Sequence, residues 1–172
     1  MDKTKIIITR EEIARRVAEL AAEISRDYKN KNPLLVGILK GSFVFMSDLV
    51  RAMNIPAEID FIRLSSYGRC TESSGKIRIM KRLETPIKGR HVLVVEDIVD
   101  SGCSLSYLLD FMRLRKPASL KVCALFDKPS RRKVDVPIDY VGFQIPDAFV
   151  VGYGLDFGEK FRHLPDLCIL EE

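Results

Sequence analysis

The segment that decides the fold reads Val94-Val95-Glu96-Asp97-Ile98-Val99-Asp100-Ser101-Gly102-Cys103-Ser104. Together with residues 91–93, it begins as a continuous apolar strand and ends in a turn of small residues that opens a helix. Such a strand is typical of a parallel sheet that is buried on both faces. In open α/β sheets, ligands bind just beyond the carboxyl ends of the strands. The segment therefore predicts a fold class and the place of a binding site.

Two kinds of polar group meet in this segment. The turn at Ser101 and Gly102 presents free backbone N–H groups at a helix N-terminus, which favours a phosphate. Glu96 and Asp97 would repel a phosphate, so they suggest a ribose diol, a magnesium ion or both. Asp100 and Ser101 could instead only cap the helix, but three acids within five residues fit that role poorly. The pattern favours a sugar phosphate as ligand.

Helix and strand patterns alternate along the rest of the chain. Thr9 and Glu12 have the spacing of a capping box, which predicts a helix start. The predicted helices cover residues 10–29, 43–53 and 104–114, and the predicted strands cover residues 34–39, 59–65, 76–83, 91–95, 120–126, 141–143, 149–151 and 167–170. This alternation predicts an α/β fold with a mostly parallel central sheet flanked by helices.

One segment breaks this pattern. Residues 66–76 are rich in Ser, Gly and Thr and have few apolar side chains, which predicts a flexible loop. The strands predicted on either side would make this loop the tip of a β-hairpin. The loop could be a catalytic lid, or a hairpin tip with no role in function.

Length and composition narrow the class of protein. The 172 residues fit one domain, residues 1–172. The net charge of +4 is modest and does not by itself indicate nucleic-acid binding. No apolar run reaches the ~20 residues that span a bilayer, and no secretory signal precedes the first helix, so we expect a cytoplasmic protein without membrane contact. The four cysteines lack C-x-x-C spacing, so we expect neither a zinc site nor a disulfide framework.

At this point the chain resembles a known family. Residues 96–104 look like the phosphoribosyl-pyrophosphate motif of type I phosphoribosyltransferases. Residues 37–42, 65–68, 127–128 and 141–156 resemble, in order, further segments of the hypoxanthine-guanine branch, and the similarity runs from about residue 34 to the C-terminus. Cys103 departs from the pattern because Lys, Arg or Tyr is common there, and Ser101 and Ser104 stand where Thr is common.

The resemblance implies a reaction and an architecture. The enzyme would transfer 5-phosphoribosyl from 5-phosphoribosyl 1-pyrophosphate (PRPP) to N9 of hypoxanthine or guanine, giving IMP or GMP and pyrophosphate, with Mg²⁺ as cofactor. A small hood formed by the regions of the chain termini, a flexible β-hairpin flap and a homodimer or homotetramer are further expectations. Asp100 would be the general base near the purine N7, and Ser66 and Tyr67 would begin the flap that closes over the reaction centre.

The resemblance also assigns binding roles. It implies ribose-phosphate binding by Glu96, Asp97, Asp100, Ser101, Gly102, Cys103 and Ser104, pyrophosphate binding by Lys40, Gly41 and Arg162, purine binding by Lys128, Phe149, Val150 and Asp156, and metal binding by Glu96, Asp97 and Asp156. The Leu39–Lys40 peptide is often cis in the family.

Several of these assignments have a plain alternative. An ammonium donates hydrogen bonds and accepts none, so Lys128 suits a 6-oxopurine and opposes the 6-amino group of adenine. Lys128 and Lys40 could instead be surface charges, and Phe149 could stack on the purine or pack in the core. A related transferase that prefers xanthine or adenine is the alternative within enzymes. An RNA-binding regulator on the same fold would need a basic face, which the modest net charge does not favour.

Overall fold

A six-stranded sheet forms the centre of the computed structural model, which describes residues 3–67 and 76–171. Its strands are β2 (Leu34–Leu39), β3 (Glu58–Tyr67), β4 (Lys76–Lys81), β5 (His91–Val99), β6 (Ser119–Asp127) and β7 (Tyr140–Gln144). The strand order is β4-β3-β2-β5-β6-β7, and only β4 pairs in the antiparallel sense. The predicted α/β class with a mostly parallel sheet is confirmed.

Three helices cover this sheet: α1 (Arg10–Asp27), α2 (Phe43–Ala52) and α3 (Cys103–Arg113). Helix α1 begins with the predicted capping box, in which Thr9 and Glu12 satisfy each other's backbone N–H groups. Alternate residues of each central strand face opposite sides, as a strand period of two requires. Leu35 and Leu93 belong to the apolar cluster that includes α1 and α2, whereas Leu34 and Val92 belong to the cluster that includes α3. The central strands are therefore buried on both faces.

The regions near the two ends of the chain form a second sheet. Its strands are β1 (Lys3–Ile8), β8 (Val150–Val151) and β9 (Leu167–Glu171), in the antiparallel order β1-β9-β8. The pattern at 149–151 and 167–170 correctly predicts strands, but they lie outside the parallel sheet. No strand was predicted at β1. Within the described ranges, no helix has the length and apolarity to cross a membrane.

Two boundaries near the expected site differ from the sequence pattern. Strand β5 does not end before Glu96 but continues to Val99, because Ile98 and Val99 pair with Phe126 and Asp127 of β6. Strands β3 and β4 pair as the predicted hairpin and extend to Tyr67 and Lys76. Residues 68–75, most of the flexible loop predicted at 66–76, lie outside the described residues.

Candidate active site at the carboxyl edge of the sheet

Two adjacent cavities lie where β5 and β6 end. The first, about 230 Å³, is lined by Glu96 and by the turn that follows β5. The second, about 340 Å³, is lined by Lys128, Phe149 and other residues that follow β6 and β7. Both cavities share Ile98 and Asp100. The structure therefore brings the sugar-phosphate segment and the predicted purine residues together, with Asp100 at their junction.

The turn after β5 has the form of an anion site. Gly102 is the N-cap of α3 and has a φ of 83°, in the left-handed region that glycine adopts without strain. The carbonyl of Ser101 accepts hydrogen bonds from the N–H groups of Lys133 (2.9 Å) and Val134 (3.1 Å). These two bonds attach the turn to the segment that precedes β7. A Cβ on Gly102 would lie 2.6 Å from the carbonyl of Val134, so no larger residue fits without a shift. The turn is thus fixed with its helix N-terminus directed at the first cavity.

The structure agrees only in part with the alternative in which Asp100 and Ser101 do no more than cap α3. The Ser101 Oγ accepts a hydrogen bond from the N–H of Cys103 at 3.3 Å. Asp100, however, is exposed, lines both cavities and pairs with an arginine. Cys103 is disulfide-bonded, contrary to the expectation of no disulfide, whereas the buried Cys123 and Cys168 are free.

Glu96 and Asp97 lie side by side at the end of β5 but have different surroundings. Glu96 borders the first cavity, and burial together with the negative charge of Asp97 raises its pKa well above the usual value. Asp97 is buried and packs against Gly41, where an added Cβ would overlap its Oδ2. Asp97 therefore links the end of β5 to the loop after β2.

That loop carries Lys40 and Gly41, two of the three residues expected to bind pyrophosphate. The Leu39–Lys40 peptide is cis. The Lys40 Nζ lies 2.8 Å from an oxygen of Glu159. Arg162 donates to the carbonyl of Gly154 at 2.8 Å, and its Nη2 lies 3.1 Å from Asp156 Oδ1 and 3.4 Å from Glu159 Oε1. Lys40 and Arg162, which are far apart in sequence, are thus brought to the same carboxylate.

The second cavity holds the residues expected to bind the purine. Lys128 is buried, with 7% of its surface exposed, and its Nζ donates to the carbonyl of Ala148 at 2.6 Å. A surface charge would be solvated, so the alternative that Lys128 is an ordinary surface lysine is wrong. Phe149 is 54% exposed and meets Phe157 edge-on, with ring centroids 5.4 Å apart. Core packing does not describe Phe149, because more than half of its surface is exposed and it lines the second cavity.

Sequence reasoning missed two residues here. Arg131 lines the second cavity, and its guanidinium lies 3.3 Å from Asp100 and 3.6 Å from Asp147. Arg132, by contrast, points inward and pairs with Asp127 at the end of β6. Both belong to the basic cluster at residues 128–133, a pattern that is typical of a solvated surface. The available signal was their position directly after a buried strand, at the edge where ligands bind.

Some expectations fall outside what the structure describes. Only the backbone of Ser66 and Tyr67 is described, so their assignment to catalysis stays a prediction. Among residues 3–67 and 76–171, no group of three or more His, Cys, Asp or Glu side chains could hold a metal ion by itself. A metal that binds together with substrate phosphates would not need such a group.

Known proteins resemble this chain over nearly its full length. A family model described as a phosphoribosyl transferase domain matches residues 4–158. The hypoxanthine-guanine phosphoribosyltransferase of Bacillus subtilis (strain 168) is 49% identical over 99% of this chain and 94% of its own length. That of Dictyostelium discoideum is 52% identical over 98% of this chain and 96% of its own.

Solved structures agree with the sequence comparison. A crystal structure of a hypoxanthine-guanine phosphoribosyltransferase from Bacillus anthracis, with a HEPES molecule in the active site, has a TM-score of 0.94 to this chain. The two sequences are 47% identical, and the match covers 99% of this chain and 100% of that one.

Proposed function

This chain belongs to the phosphoribosyltransferase family, and we propose that it transfers a 5-phosphoribosyl group to N9 of hypoxanthine or guanine. The donor is PRPP, and the products are IMP or GMP and pyrophosphate. The observation that carries this proposal is the position of Asp100 between the two cavities. A general base at this junction lies where the sugar carbon and the purine have to meet.

The reaction breaks one bond and forms another at the same carbon. The bond from ribose C1 to the pyrophosphate oxygen breaks, and its electron pair leaves on pyrophosphate. N9 of the purine forms the new bond to C1, and the purine N7 loses a proton to Asp100. Arg131 pairs with one oxygen of Asp100, so the other oxygen is available to accept this proton.

The 5-phosphate and the leaving group occupy different parts of the site. The turn of Ser101, Gly102, Cys103 and Ser104 binds the 5-phosphate through backbone N–H groups and hydroxyls. The backbone of Lys40 and Gly41, together with Arg162, binds the pyrophosphate. Hydrogen-bond donors held in advance at this place stabilise the charge that develops as the bond breaks.

Magnesium fits the acids of this site. Mg²⁺ is usually bound by one or two carboxylates together with substrate phosphates and water. Glu96 at the cavity wall and Asp97 beside it provide such a pair, and Asp156, which lines the second cavity, pairs with Arg162. When bound, the ion would neutralise charge that builds up on the leaving pyrophosphate.

The purine is selected by the second cavity. The Lys128 ammonium donates to the 6-oxo group and has no acceptor for a 6-amino group. Phe149 stacks on the ring, and backbone groups of Val150 and Asp156 meet its other edge. Family resemblance also supports a cytoplasmic location and a homodimer or homotetramer. Sedimentation analysis of the purified protein would check the oligomeric state.

A base-competition assay tests the function. The purified enzyme, Mg²⁺ and PRPP are mixed with equal amounts of hypoxanthine, guanine, xanthine and adenine, and the nucleotides formed are quantified. We expect IMP, GMP or both to dominate. Preference for xanthine would replace the substrate assignment, and preference for adenine would remove the role of Lys128. If no base reacted, the enzyme proposal would be wrong, and RNA affinity measured against salt would test the regulator alternative.

A further inference from the structure

We propose that Arg131 is the residue that positions the general base, and that Asp147 anchors Arg131 for this task. The inference rests on the proposed function, because Asp100 is assigned the role of base there. It adds a positioning residue to that scheme. A guanidinium stays charged and only donates hydrogen bonds, so Arg131 takes no proton in the reaction and acts through Asp100.

Asp100 depends on Arg131 for its orientation. It is the first residue after β5, and its side chain is half-buried. In the described part of the chain, its carboxylate makes one hydrogen bond, which is also its one ion pair, and the partner is Arg131. Without that contact, the carboxylate would be free to turn about its side-chain bonds. A general base acts only within hydrogen-bond reach of the proton that it removes, so its orientation bears on the rate.

The guanidinium of Arg131 bridges two carboxylates. Its Nε donates to Asp100 Oδ1 at 3.3 Å, and its Nη1 lies 3.6 Å from Asp147 Oδ1. The group is planar and rigid, so its donors point in fixed directions. A guanidinium that pairs with Asp147 on one side is therefore held with its Nε towards Asp100 on the other.

The backbone ties the turn that carries Arg131 to both of its partners. Arg131 donates its N–H to the carbonyl of Lys128 at 3.1 Å, which closes a turn directly after β6. The N–H of Lys128 donates at 3.0 Å to the carbonyl of Val99, the last residue of β5. The Nζ of Lys128 donates to the carbonyl of Ala148, next to Asp147 in the chain. Both carboxylates are therefore adjacent to residues that this turn holds.

This arrangement leaves one oxygen of the base for the substrate. Arg131 occupies Oδ1 of Asp100, and Oδ2 is left for the proton of the purine N7. Loss of Arg131 would let the carboxylate adopt orientations in which neither oxygen meets that proton. The contacts proposed for the purine itself, at Lys128 and Phe149, would stay. An enzyme without Arg131 should therefore bind the base as before and turn it over more slowly.

The variant Arg131→Gln tests the proposal by separating kcat from KM. Glutamine removes the charge and the rigid fork and keeps a polar side chain beside the cavity. We expect kcat for transfer to hypoxanthine or guanine to fall about threefold to tenfold, the effect expected of one or two exposed ion pairs. The KM for the base and the affinity for PRPP should change by less than about twofold. Arg131→Lys keeps the charge without the fork and should recover part of the lost kcat.

Two comparisons make the test specific. Arg113 on α3 is as exposed as Arg131, at 54%, and pairs with Asp110 outside both cavities. Arg113→Gln should therefore leave kcat and KM unchanged. In an Asp100→Asn background, Arg131→Gln should lower kcat by less than about twofold further, because the group on which it acts is already lost. Thermal unfolding of each variant checks that the fold is kept.

The variant Asp147→Asn tests the anchor. It should lower kcat by less than Arg131→Gln does, because the contact between Arg131 and Asp100 remains. Combined with Arg131→Gln, it should have no further effect. A loss of kcat that persisted in this double variant would overturn the role of Asp147 as anchor.

Three results would overturn the role of Arg131. They are an unchanged kcat in Arg131→Gln, a full further loss in the Asp100→Asn background, and a raised KM for the base with unchanged kcat, which would make Arg131 a binding residue. If the wild-type enzyme transferred no base, the proposed function and this inference would both fail. If the wild type and Asp100→Asn behaved as expected and Arg131→Gln did not, only the inference would fail.

Discussion

At the scale of single residues, Asp100 is the group whose chemistry can be tested most directly. The variant Asp100→Asn keeps the size of the side chain but removes its ability to take a proton. We expect kcat to fall by about 10²-fold to 10⁴-fold, the usual contribution of a general base. PRPP binding should change by less than about threefold, because the turn of Ser101 and Gly102 stays intact. Steady-state kinetics and calorimetry with PRPP measure the two quantities.

A matched control lies on α3. Asp110 pairs with Arg113 at 2.9 Å, as Asp100 pairs with Arg131, but its side chain is 73% exposed and lines neither cavity. Asp110→Asn should leave kcat unchanged. If Asp100→Asn turned over at the wild-type rate, Asp100 would not be the base.

Gly41 shows how little space separates the loop after β2, which is proposed to bind pyrophosphate, from the end of β5. A Cβ at this position would overlap Oδ2 of the buried Asp97. Because an alanine here forces the loop or the carboxylate to move, Gly41→Ala should destabilise the fold by about 1–3 kcal/mol. It should also lower kcat/KM for PRPP at least tenfold. Chemical denaturation and steady-state kinetics measure both effects.

The double variant Gly41→Ala with Asp97→Ala identifies the cause. Removing the carboxylate removes the overlap, so the double variant should be more stable than the sum of the single changes predicts. Activity should stay low because both residues belong to the site. Additive loss of stability would show that the alanine does not meet Asp97.

At the scale of secondary structure, Asp60 connects the hairpin of β3 and β4 to the loop that follows it. Its buried carboxylate accepts hydrogen bonds from the N–H groups of Phe61, Glu84 and Thr85, and Lys81 lies 3.8 Å away. Burial raises the pKa of Asp60, but these N–H groups and the ammonium outweigh burial and hold it below its usual value. The carboxylate therefore stabilises the folded state only when it is ionised.

The sign of the pH dependence follows from this lowered pKa. The contribution of Asp60 is complete above the unfolded-state pKa of about 3.9 and is lost as the pH falls through the lower folded-state value. Asp60→Asn should cost about 1–3 kcal/mol at pH 7, and the cost should shrink as the pH approaches 3. Urea denaturation at several pH values measures it. A cost that is constant with pH, or equal to that of the exposed Asp135→Asn, would contradict this account.

The same scale shows what the sequence could predict. Apolar runs and the capping box at Thr9 predicted the helices and the central strands to within a few residues, because burial and local hydrogen bonds determine them. The continuation of β5 to Val99 depends on pairing with β6, and β1 exists only through its pairing with β9. Pairing between distant segments leaves no periodic signal in either one.

The candidate site divides in the same way. Asp100 and Lys128 could be found because each directly follows a buried strand, and Glu96 because it follows the apolar run at 91–95 inside β5. Arg131 and Glu159 could not be found from the sequence, because each lies among charged neighbours. Only the folded chain shows that they pair with Asp100 and Lys40. The conformation of the chain, and not the local composition, separates these two from solvated surface charges.

At the scale of the whole molecule, the candidate active site uses both sheets. The sugar-phosphate turn and Asp100 follow β5 of the parallel sheet, whereas Phe149 and Val150 stand at β8 of the terminal sheet. The terminal sheet therefore supports the part of the candidate site at Phe149, whereas Lys128 and the proposed phosphate turn follow strands of the central sheet. Damage to the terminal sheet beside Phe149 should then weaken binding of the base more than binding of PRPP at the turn after β5.

Leu170 allows this division to be tested. Its backbone N–H donates to the carbonyl of Phe149 at 3.1 Å, and in β9 it pairs with Thr4 of β1. Leu170→Pro removes this donor, and a proline is not tolerated in a central strand of a sheet. Because Phe149 loses its support, we expect the KM for the base to rise at least tenfold and the unfolding midpoint to fall, while PRPP binding changes by less than about threefold.

The control Leu170→Val keeps the N–H group and a side chain suited to a strand. It should therefore leave both KM values near those of the wild type. Calorimetry with PRPP, base kinetics and thermal unfolding are measured on all three proteins. If Leu170→Pro weakened PRPP binding as much as binding of the base, the two sheets would respond as one unit. The terminal sheet would then support the whole candidate site and not only the part at Phe149.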